Sequence, residues 1–415
     1  MRILQVCKKF PYPLNDGESI AVTFLAAALR DLGHEVDLLS LNTTKHFVDL
    51  DSLPPDFNFY RRVAATRLDN RVTPWNVAAN LLFSRKSFHV SRFVNEAFRQ
   101  RLIRMLKETS YDLVLLETII LAPYIDTIRQ HSDAKVVMRA HNVEHEIWVR
   151  VAANSSPLRR LVLQKASHRL RKFELEAMNK PDLFVAISEP DLVKFRALGL
   201  RRPAIVTPIG IDAAAYLPDD AAFDGPLRLS FIGSLDWLPN VEGLRWFLDK
   251  VWPALHARYP NLEFHVAGKK APPAIMGLDL PGVTVHGEVA DAPAFTNAYP
   301  VMVVPLLAGS GIRAKIIEAM MLGRVVITTT IGLLGIPAGH GHEVLVADTV
   351  EDFVRAVDWC VAHPDELLEM GRRAARFARE KFDNKRIAVH FIQSAMASLP
   401  ALRQNVMRLG DTESI

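Results

Sequence analysis

Residues 301–323, VMVVPLLAGSGIRAKIIEAMMLG, contain the pattern that decides the fold. The stretch opens with an apolar, β-branched run over 301–305, which has the length of a buried strand. A small-residue turn over 308–311 follows, and apolar side chains then recur at helical spacing until Gly323, a natural end for a helix. The stretch therefore predicts a strand, a glycine turn and a helix in succession.

The start of that helix is suited to phosphate. Its first backbone N–H groups have no partner within the helix, and the helix dipole places partial positive charge there. Arg313 and Lys315 add two cations at the same end. Glu318 lies about 7.5 Å farther along the axis than Arg313, at about 1.5 Å per residue, where a carboxylate could accept hydrogen bonds from a ribose. The alternative is a surface i,i+3 pair of Lys315 and Glu318, worth about 0.2–0.5 kcal/mol.

Length and composition indicate a globular protein of two domains. At 415 residues, with 49% hydrophobic and 23% charged residues, the chain is typical of folded soluble proteins. No apolar run approaches the roughly 18 residues of a membrane-spanning helix, and the N-terminus lacks the features of a secretory signal. Cys7 and Cys360 form no disulfide or metal framework. We therefore expect a cytoplasmic location.

Charge is unevenly distributed along the chain. Residues 1–200 hold 29 Lys and Arg against 22 Asp and Glu, whereas residues 201–415 hold 21 against 24. The first half is therefore expected to meet any anionic partner. Basic helices predicted over 89–107 and 157–178 would suit a membrane surface or an anionic acceptor, and ordinary solvated faces explain them equally well. We expect no nucleic-acid partner.

Both halves alternate strands and helices in the manner of parallel, doubly wound sheets. In the first half, strands are predicted over 2–6, 35–41, 112–116, 135–139, 182–187 and 204–207. Residues 42–88 show no sustained period and are interpreted as an insertion at the sheet edge or over the ligand cleft. In the second half, strands are predicted over 229–232, 263–267, 283–286, 301–305, 325–328 and 343–346. Two predicted helices matter below: 20–32, capped by Ser19, and 241–259, capped by Asn240.

The chain accordingly divides into two Rossmann-like domains. Residues 1–207 form the first domain and residues 227–383 the second, and the stretch 208–226, rich in Pro, Gly, Asp and Ala, is a linker. Residues 384–415 are expected to form a helix that crosses back to the first domain, followed by a tail. The loop after the first strand lacks a G-x-G-x-x-G pattern, which argues against a nicotinamide or flavin site.

Three residues of the first domain follow predicted strands at the edge where open α/β sheets bind ligands. Gly17 lies in the loop after the first strand, and His141 and Asn142 follow the fourth. His145 could share a helix face with His141 as a zinc pair, but the third ligand and the H-E-x-x-H order are missing, so we expect no metal. His141 is interpreted as a polar residue that donates to a ligand oxygen, or else as an ordinary loop histidine.

Taken together, these motifs resemble the GT-B fold glycosyltransferases of the large family four of retaining enzymes. The resemblance covers nearly the whole chain, through FPYPLNDGES (10–19), AHNVEH (140–145), FIGSLDWLPNVEGLRWF (231–247), VHGEV (285–289), PLLAGSGIRAKIIEAMMLGRVVITT (305–329) and GLLGI (332–336). It implies an α/β protein of the GT-B type, with two Rossmann-like domains and a deep interdomain cleft. It also implies a nucleotide-sugar donor held by the C-terminal domain.

The resemblance assigns the site residues by position. Glu318 would bind the donor ribose, while Arg313 and Lys315 would neutralise the diphosphate and act in catalysis. His141 would contact the transferred sugar and is the third catalytic candidate. The remaining donor-side candidates are those near the sugar, the diphosphate or the base: Gly17, Asn142, Ser234, Gly287, Glu288, Gly309, Ser310, Gly311 and Ile312.

The chain departs from the family pattern at two places. The family often pairs two glutamates at a seven-residue spacing, and the first of them falls here at Ser310. Many members also carry an Arg and a Lys just after the first strand of the C-terminal domain, whereas residues 234–240 contain neither. Arg313 and Lys315 would supply that charge from the other side, as in a subset with a GSG-x-R-x-K form. We therefore interpret the chain as an active variant.

The expected activity is a metal-independent, cofactor-free retaining glycosyl transfer from a UDP- or GDP-sugar to a saccharide or lipid-linked acceptor, in cell-surface polysaccharide or glycoconjugate synthesis. The largest protein contribution should be stabilisation of the leaving diphosphate, which would also take the acceptor proton. A peripheral contact with the inner face of the membrane would fit such an acceptor. The alternatives are another GT-B activity, such as a sugar-nucleotide epimerase, and a non-catalytic nucleotide-sugar-binding protein.

Overall fold

The structure, a computed structural model, describes residues 1–14, 16–55, 57–71, 73, 80, 84, 86–153, 155–309, 311–400 and 402. The chain forms two compact units, Met1–Gly210 with Asn384–Ile415, and Ile211–Asp383. Each unit is built on one parallel sheet flanked by helices. The prediction of an α/β fold with two Rossmann-like halves is therefore confirmed.

The first unit contains a seven-stranded sheet in the order β3-β2-β1-β4-β5-β6-β7. Side chains of its central strand alternate between two apolar clusters, since Leu4 and Val6 pack on one face and Ile3 and Cys7 on the other. The strands are β1 Arg2–Cys7, β2 Glu35–Thr43, β3 Arg62–Leu68, β4 Leu113–Leu116, β5 Lys135–Ala140, β6 Leu183–Ala186 and β7 Ala204–Val206.

The helices of the first unit cover both faces of this sheet. The α-helices are Gly17–Asp31, Phe88–Ser91, Glu96–Glu108, Ile125–His131, Glu144–Ala153, Pro157–Ala177, Glu189–Ala197 and Asn384–Ser398. Short 3₁₀ turns are Thr44–His46, Leu50–Ser52 and Ile119–Tyr124. The last α-helix buries Ala388, Phe391 and Ala395 in the same apolar cluster as Leu25 and Leu29. The C-terminal helix therefore contributes to the core of the first unit.

The second unit contains a six-stranded sheet in the order β10-β9-β8-β11-β12-β13. Its strands are β8 Arg228–Ile232, β9 Glu263–Ala267, β10 Val283–Gly287, β11 Val301–Val304, β12 Val325–Thr328 and β13 Leu345–Val346. Its α-helices are Leu238–Trp246, Trp252–Arg258, Pro273–Met276, Ala292–Asn297, Ala314–Met321, Val350–Ala362 and Pro364–Phe382. A π-helical turn over Phe247–Val251 joins the first two helices, and 3₁₀ turns lie at Ala213–Ala215 and Asp220–Phe223.

The strand and the helix predicted over 301–323 are both present, and Gly309 and Gly311 between them have positive φ angles. The helix begins at Ala314, with Arg313 at its N-cap, and Ile316, Ile317 and Met320 are fully buried. Gly323 ends it with φ +74° and donates its N–H to the carbonyl of Met320, which is the left-handed ending that favours glycine.

Several predicted boundaries were wrong, and local hydrogen bonds explain two of them. The first helix begins at Gly17 and not near residue 20, because the carboxylate of Asp16, and not Ser19, caps it by accepting from the N–H groups of Glu18 and Ser19 at 3.1 Å. The basic stretch 89–107 forms two helices, because Asn95 breaks the run and caps the second one through the N–H of Phe98.

One strand was not predicted, and the predicted start of one further helix was wrong. Strand β3 lies within the stretch 42–88, where we expected an insertion, and it pairs with β2 at the sheet edge. An edge strand is half exposed and carries no continuous apolar run. The helix predicted over 241–259 begins at Leu238, so Asn240 lies inside its first turn and does not cap it.

Of the helices in the described part of the chain, none combines the length and the apolarity needed to span a bilayer.

Gly371 allows the helix Pro364–Phe382 to pack closely on the end of the site helix. A Cβ at Gly371 would stand 2.2 Å from the carbonyl oxygen of Gly323. We expect Gly371→Ala to lower the free energy of unfolding by about 1–3 kcal/mol, because a backbone clash outweighs the gain of about 1 kcal/mol from replacing glycine in a helix. Thermal unfolding followed by circular dichroism measures the change.

The matched control is Gly17→Ala, whose Cβ would meet only Ile209 Cδ1 at 3.8 Å, an ordinary contact. We expect this variant to unfold at the wild-type temperature or above it. Equal melting temperatures for Gly371→Ala and the wild-type protein would show that the helix shifts freely to accept a methyl group.

Candidate functional site

Lys315 brings a positive charge to the carboxyl end of β8. Its Nζ donates to the carbonyl oxygen of Ile232 at 3.2 Å and to Oδ1 of Asn240 at 2.9 Å, and it lies 4.6 Å from the centroid of the Phe231 ring. A side chain in the first turn of a helix leans back towards the N-terminus. Because β8 and β11 are neighbours in the sheet, that direction carries the ammonium group to the end of β8.

The ammonium group is held by neutral oxygens and an aromatic ring. Within the described residues, Lys315 forms no salt bridge with a carboxylate, and Glu318 is not its partner. Burial lowers the pKa of Lys315 to about 7, the charge of Arg313 acts in the same direction, and Glu318 opposes both. The charged form is therefore disfavoured until an anion arrives.

Arg313 occupies the N-cap of the same helix and is almost completely buried. Its guanidinium carbon lies 5.5 Å from the centroid of the Trp237 ring. A Cβ at position 309 would stand 2.1 Å from a terminal nitrogen of Arg313, and Gly309 has φ +146°. Position 309 therefore requires glycine both for its backbone conformation and for the space that the guanidinium occupies.

Glu318 is oriented by a residue of the predicted linker. The hydroxyl of Tyr216 donates to Oε1 of Glu318 at 2.9 Å. Burial raises the pKa of Glu318, and the Tyr216 hydrogen bond and the Lys315 charge oppose that rise. Tyr216 was not among the predicted site residues, because a tyrosine in an irregular proline-rich stretch carries no signal of its contact with residue 318.

Asn240 connects the loop after β8 to the lysine. Its Nδ2 donates to the carbonyl of Ser234 at 2.9 Å while its Oδ1 accepts from Lys315. A Cβ at Gly233 would stand 2.8 Å from Nδ2 of Asn240 and 3.0 Å from Nζ of Lys315. Pro239 could have indicated that Asn240 lies inside the helix, because proline favours the first turn of a helix.

The other donor-side candidates are spread along the same edge of the sheet. Gly287 ends β10 with φ +68°, and its carbonyl accepts from the N–H of Gly268 at 2.7 Å. Glu288 is exposed, and no hydrogen bond among the described residues connects it to Lys315. Gly311 has φ +76° and Ile312 is buried. Ser310 lies outside the described residues.

In the first unit, His141 follows β5 and is paired with a carboxylate that was not among the predicted site residues. Its Nε2 lies 3.0 Å from Oε2 of Glu117, which follows β4 and is fully buried. Glu117 could have been predicted as a site residue from the sequence, because it directly follows an apolar strand at the edge of the sheet where ligands bind. Gly17 begins the first helix of this unit, and Asn142 is half-buried beside His141.

The suggested histidine pair is not formed. His141 lies ahead of the helix Glu144–Ala153, so it shares no helix face with His145. His145 instead pairs through Nδ1 with Oε2 of Glu174 at 2.5 Å, and Glu174 also accepts from the N–H of Glu144. Throughout the described part of the chain, no three His, Cys, Asp or Glu residues are grouped to hold a metal ion.

Comparison with known families finds glycosyltransferase models in both halves of the chain. The model described as Glycosyltransferase Family 4 matches residues 16–215, and the model described as Glycosyl transferases group 1 matches residues 226–363. A curated relative from Klebsiella pneumoniae, described as an uncharacterized 44.6 kDa protein in the cps region, is 23% identical, with 93% of this chain and 97% of the relative covered.

Solved structures of low identity share the fold. A sucrose-phosphate synthase from Thermosynechococcus elongatus is 17% identical, with 97% of this chain and 100% of that chain covered and a TM-score of 0.69. Anabaena Alr3699/HepE, solved in complex with UDP-glucose, is 15% identical, with 95% and 99% covered and a TM-score of 0.64. These structures are GT-B glycosyltransferases, as the sequence resemblance led us to expect.

The low pKa of Lys315 predicts that diphosphate binding is linked to protons. At pH 8 the free lysine, with a pKa of about 7, is mostly neutral, and a bound anion raises that pKa. UDP or GDP should therefore bind with uptake of up to one proton, and its affinity should fall as pH rises above 7. Calorimetry at pH 8 in buffers of different ionisation enthalpy measures the uptake.

Lys315→Met is the control for this measurement, because it keeps the length of the side chain and removes the titrating group. We expect the proton uptake to vanish in this variant. Uptake of the same size in both proteins would assign the proton to another group and contradict the role of Lys315.

Proposed function

The chain belongs to the group 1 glycosyltransferases, and we propose that it transfers a sugar from a nucleoside-diphosphate-sugar donor to a saccharide or lipid-linked acceptor with retention of anomeric configuration. The observation that carries this proposal is the ammonium group of Lys315, held by neutral oxygens beside Arg313 at a helix N-terminus. Such an arrangement suits a dianionic ligand, and the diphosphate of a nucleotide sugar has that charge.

The chemical role of these cations follows from where charge develops. As the bond from the anomeric carbon to the diphosphate oxygen breaks, its electron pair remains on the diphosphate. Lys315, Arg313 and the N-terminal amides of the helix Ala314–Met321 would stabilise that charge in place of a metal ion. The acceptor oxygen bonds to the anomeric carbon on the face that the diphosphate leaves, and its proton passes to the diphosphate. His141 would contact the transferred sugar.

The position of Lys315 supports the interpretation of the chain as an active variant. The loop after β8 contains neither the Arg nor the Lys that many relatives carry there, and Nζ of Lys315 reaches the carbonyl of Ile232, the last residue of that strand. A lysine from the glycine-turn helix can thus supply positive charge where the loop lacks it. The glycine at position 233 leaves the space that the ammonium group needs.

The donor would be a UDP- or GDP-sugar, held through its ribose by Glu318. The solved HepE structure contains UDP-glucose by its own description, which favours uracil for a protein of this fold. The hydrogen bond from Tyr216 would orient the Glu318 carboxylate towards the ribose hydroxyls. Gly287 and Glu288 at the end of β10 would border the base, and Gly309, Ser310, Gly311 and Ile312 would approach the diphosphate.

The acceptor and the location are inferred from one relative and from one basic helix. The relative from Klebsiella pneumoniae is described as part of a cps region, which supports a role in surface polysaccharide or glycoconjugate synthesis. The long helix Pro157–Ala177 carries many basic side chains, which would suit an acceptor at a membrane surface. We propose a cytoplasmic protein that contacts the inner face of the membrane peripherally and needs neither metal nor cofactor.

A turnover assay separates this function from its alternatives. The protein is incubated with UDP- and GDP-sugars, with and without saccharide and lipid-linked acceptors, in the presence of a chelator. Acceptor-dependent release of nucleoside diphosphate, with a retained linkage in the product, is the expected result. An isomerised donor would indicate an epimerase, and tight donor binding without turnover would indicate a binding protein.

Arg313→Ala and Lys315→Ala should each lower kcat by roughly 10²–10³, the range for removing one donor that stabilises developing charge. Circular dichroism should show that both variants remain folded. Lys381→Ala is the control, because it removes an exposed lysine that forms a salt bridge with Glu380 and should leave kcat unchanged. Near-wild-type rates for both site variants would place the diphosphate elsewhere.

Glu318→Ala should weaken donor binding chiefly through the ribose. Hydrogen bonds to a charged group are worth about 1.5–3 kcal/mol, so we expect at least a tenfold loss of UDP or GDP affinity by calorimetry. The wild-type protein should also discriminate between a nucleotide and its 2′-deoxy analogue, and the variant should not. An unchanged ratio of the two affinities would remove the ribose role from Glu318.

A further inference from the structure

Glu117 lies at the centre of a buried hydrogen-bond network in the first unit. Its Oε1 accepts from Nε2 of Gln5 at 2.6 Å, and its Oε2 lies 3.0 Å from Nε2 of His141 and 3.5 Å from a terminal nitrogen of Arg139. Tyr60 extends the network by donating to Oε1 of Gln5 at 2.8 Å. Three donors thus converge on one carboxylate, which leaves it little freedom to rotate.

The carboxylate is expected to be ionised in spite of its burial. Burial alone would raise the pKa of Glu117, but the charge of Arg139 and the contacts with His141 and Gln5 hold it below the ordinary value. Arg139 is itself wholly buried and donates to the carbonyls of Ala21 and Pro208. The guanidinium therefore balances the charge of Glu117 within the core.

An ionised carboxylate only accepts hydrogen bonds, so Nε2 of His141 must be the donor in this pair. In the neutral ring, Nδ1 is then the acceptor. Among the residues that the structure describes, none forms a hydrogen bond to Nδ1 of His141. The tautomer and the direction of the free nitrogen are both set by Glu117.

We propose that Glu117 is a positioning residue: it holds His141 with Nε2–H directed into the core and presents Nδ1 as an acceptor for a hydroxyl of the transferred sugar. The inference rests on the proposed function, because it concerns the same histidine. It differs from the prediction that His141 donates to a ligand oxygen, because a neutral ring with its proton on the nitrogen that faces Glu117 can only accept at Nδ1.

A double-mutant cycle distinguishes positioning from plain structural support. Glu117→Gln keeps the shape of the side chain but brings an amide N–H₂ group against one of the surrounding donors. We expect it to lower kcat/KM for sugar transfer at least tenfold, and we expect His141→Ala to do the same. In the His141→Ala background, Glu117→Gln should cause no further loss, because Glu117 acts through the histidine.

Two further variants act as controls. Tyr60→Phe removes a hydrogen bond from the same buried network without touching Glu117, and should leave kcat/KM within about twofold if only the carboxylate matters. Glu117→Asp keeps the charge that Arg139 needs, so it should fold even if the glutamine variant does not. It should show the same non-additivity with His141→Ala. Losses that multiply in the double variants would overturn the proposal.

A measurement without turnover tests the same inference independently. Long-range proton–nitrogen correlation spectra of protein labelled in its histidine rings report the tautomer, and the His141→Ala spectrum identifies the signal of residue 141. We expect the Nε2–H tautomer in the wild-type protein and a changed tautomer population in Glu117→Gln. An Nδ1–H tautomer in the wild-type protein would overturn the inference, whereas absence of transfer with every donor would overturn the proposed function alone.

Discussion

The candidate donor site depends on a buried ammonium group that lies among neutral partners. An ionised group removed from water costs several kcal/mol unless hydrogen bonds or opposite charge compensate for it. At Lys315 the compensation comes from the carbonyl of Ile232, the amide of Asn240 and the face of Phe231, and it is incomplete, since the pKa falls to about 7. An anionic ligand would complete it, which couples binding to the charge state of the site.

The side chains of this site leave no room for a Cβ atom at two positions of the surrounding backbone. Gly233 and Gly309 lie where any Cβ would meet the side-chain nitrogens of Asn240, Lys315 or Arg313. The loop after β8 and the turn after β11 can therefore approach the cations only as glycine-containing segments. Gly233 and Gly309 contribute no side-chain packing, and they leave the space that Lys315 and Arg313 occupy.

In the first unit, too, polar residues meet where neighbouring parallel strands end, but the pair is a carboxylate and a histidine. Neighbouring parallel strands β4 and β5 end at one edge of the sheet, and so Glu117 and His141, 24 residues apart in sequence, come within hydrogen-bond distance. Arg139, at the end of β5, lies beneath them and supplies the balancing charge. The carboxylate of Glu117 is wholly buried, whereas His141 is slightly exposed.

The amino-acid sequence by itself determined the two parallel sheets and the glycine turn that opens the site helix, whereas the order of the strands within each sheet was not predicted from it. Strand β12, in which every residue is buried, begins with an apolar run, and its limits were predicted to the residue. The edge strand β3 was missed because one side of it faces solvent, so its composition resembles that of a loop.

Only the tertiary structure decided which polar residues meet. Tyr216 with Glu318, Asn240 with Lys315 and Glu117 with His141 are each separated by between 24 and 102 residues. Periodicity describes the face of a single element, and it carries no information on which side chain of a distant element will lie opposite. The positions of the cations were therefore readable from the sequence, whereas the partners of Lys315 and of His141 were fixed only when the sheets brought the strand ends together.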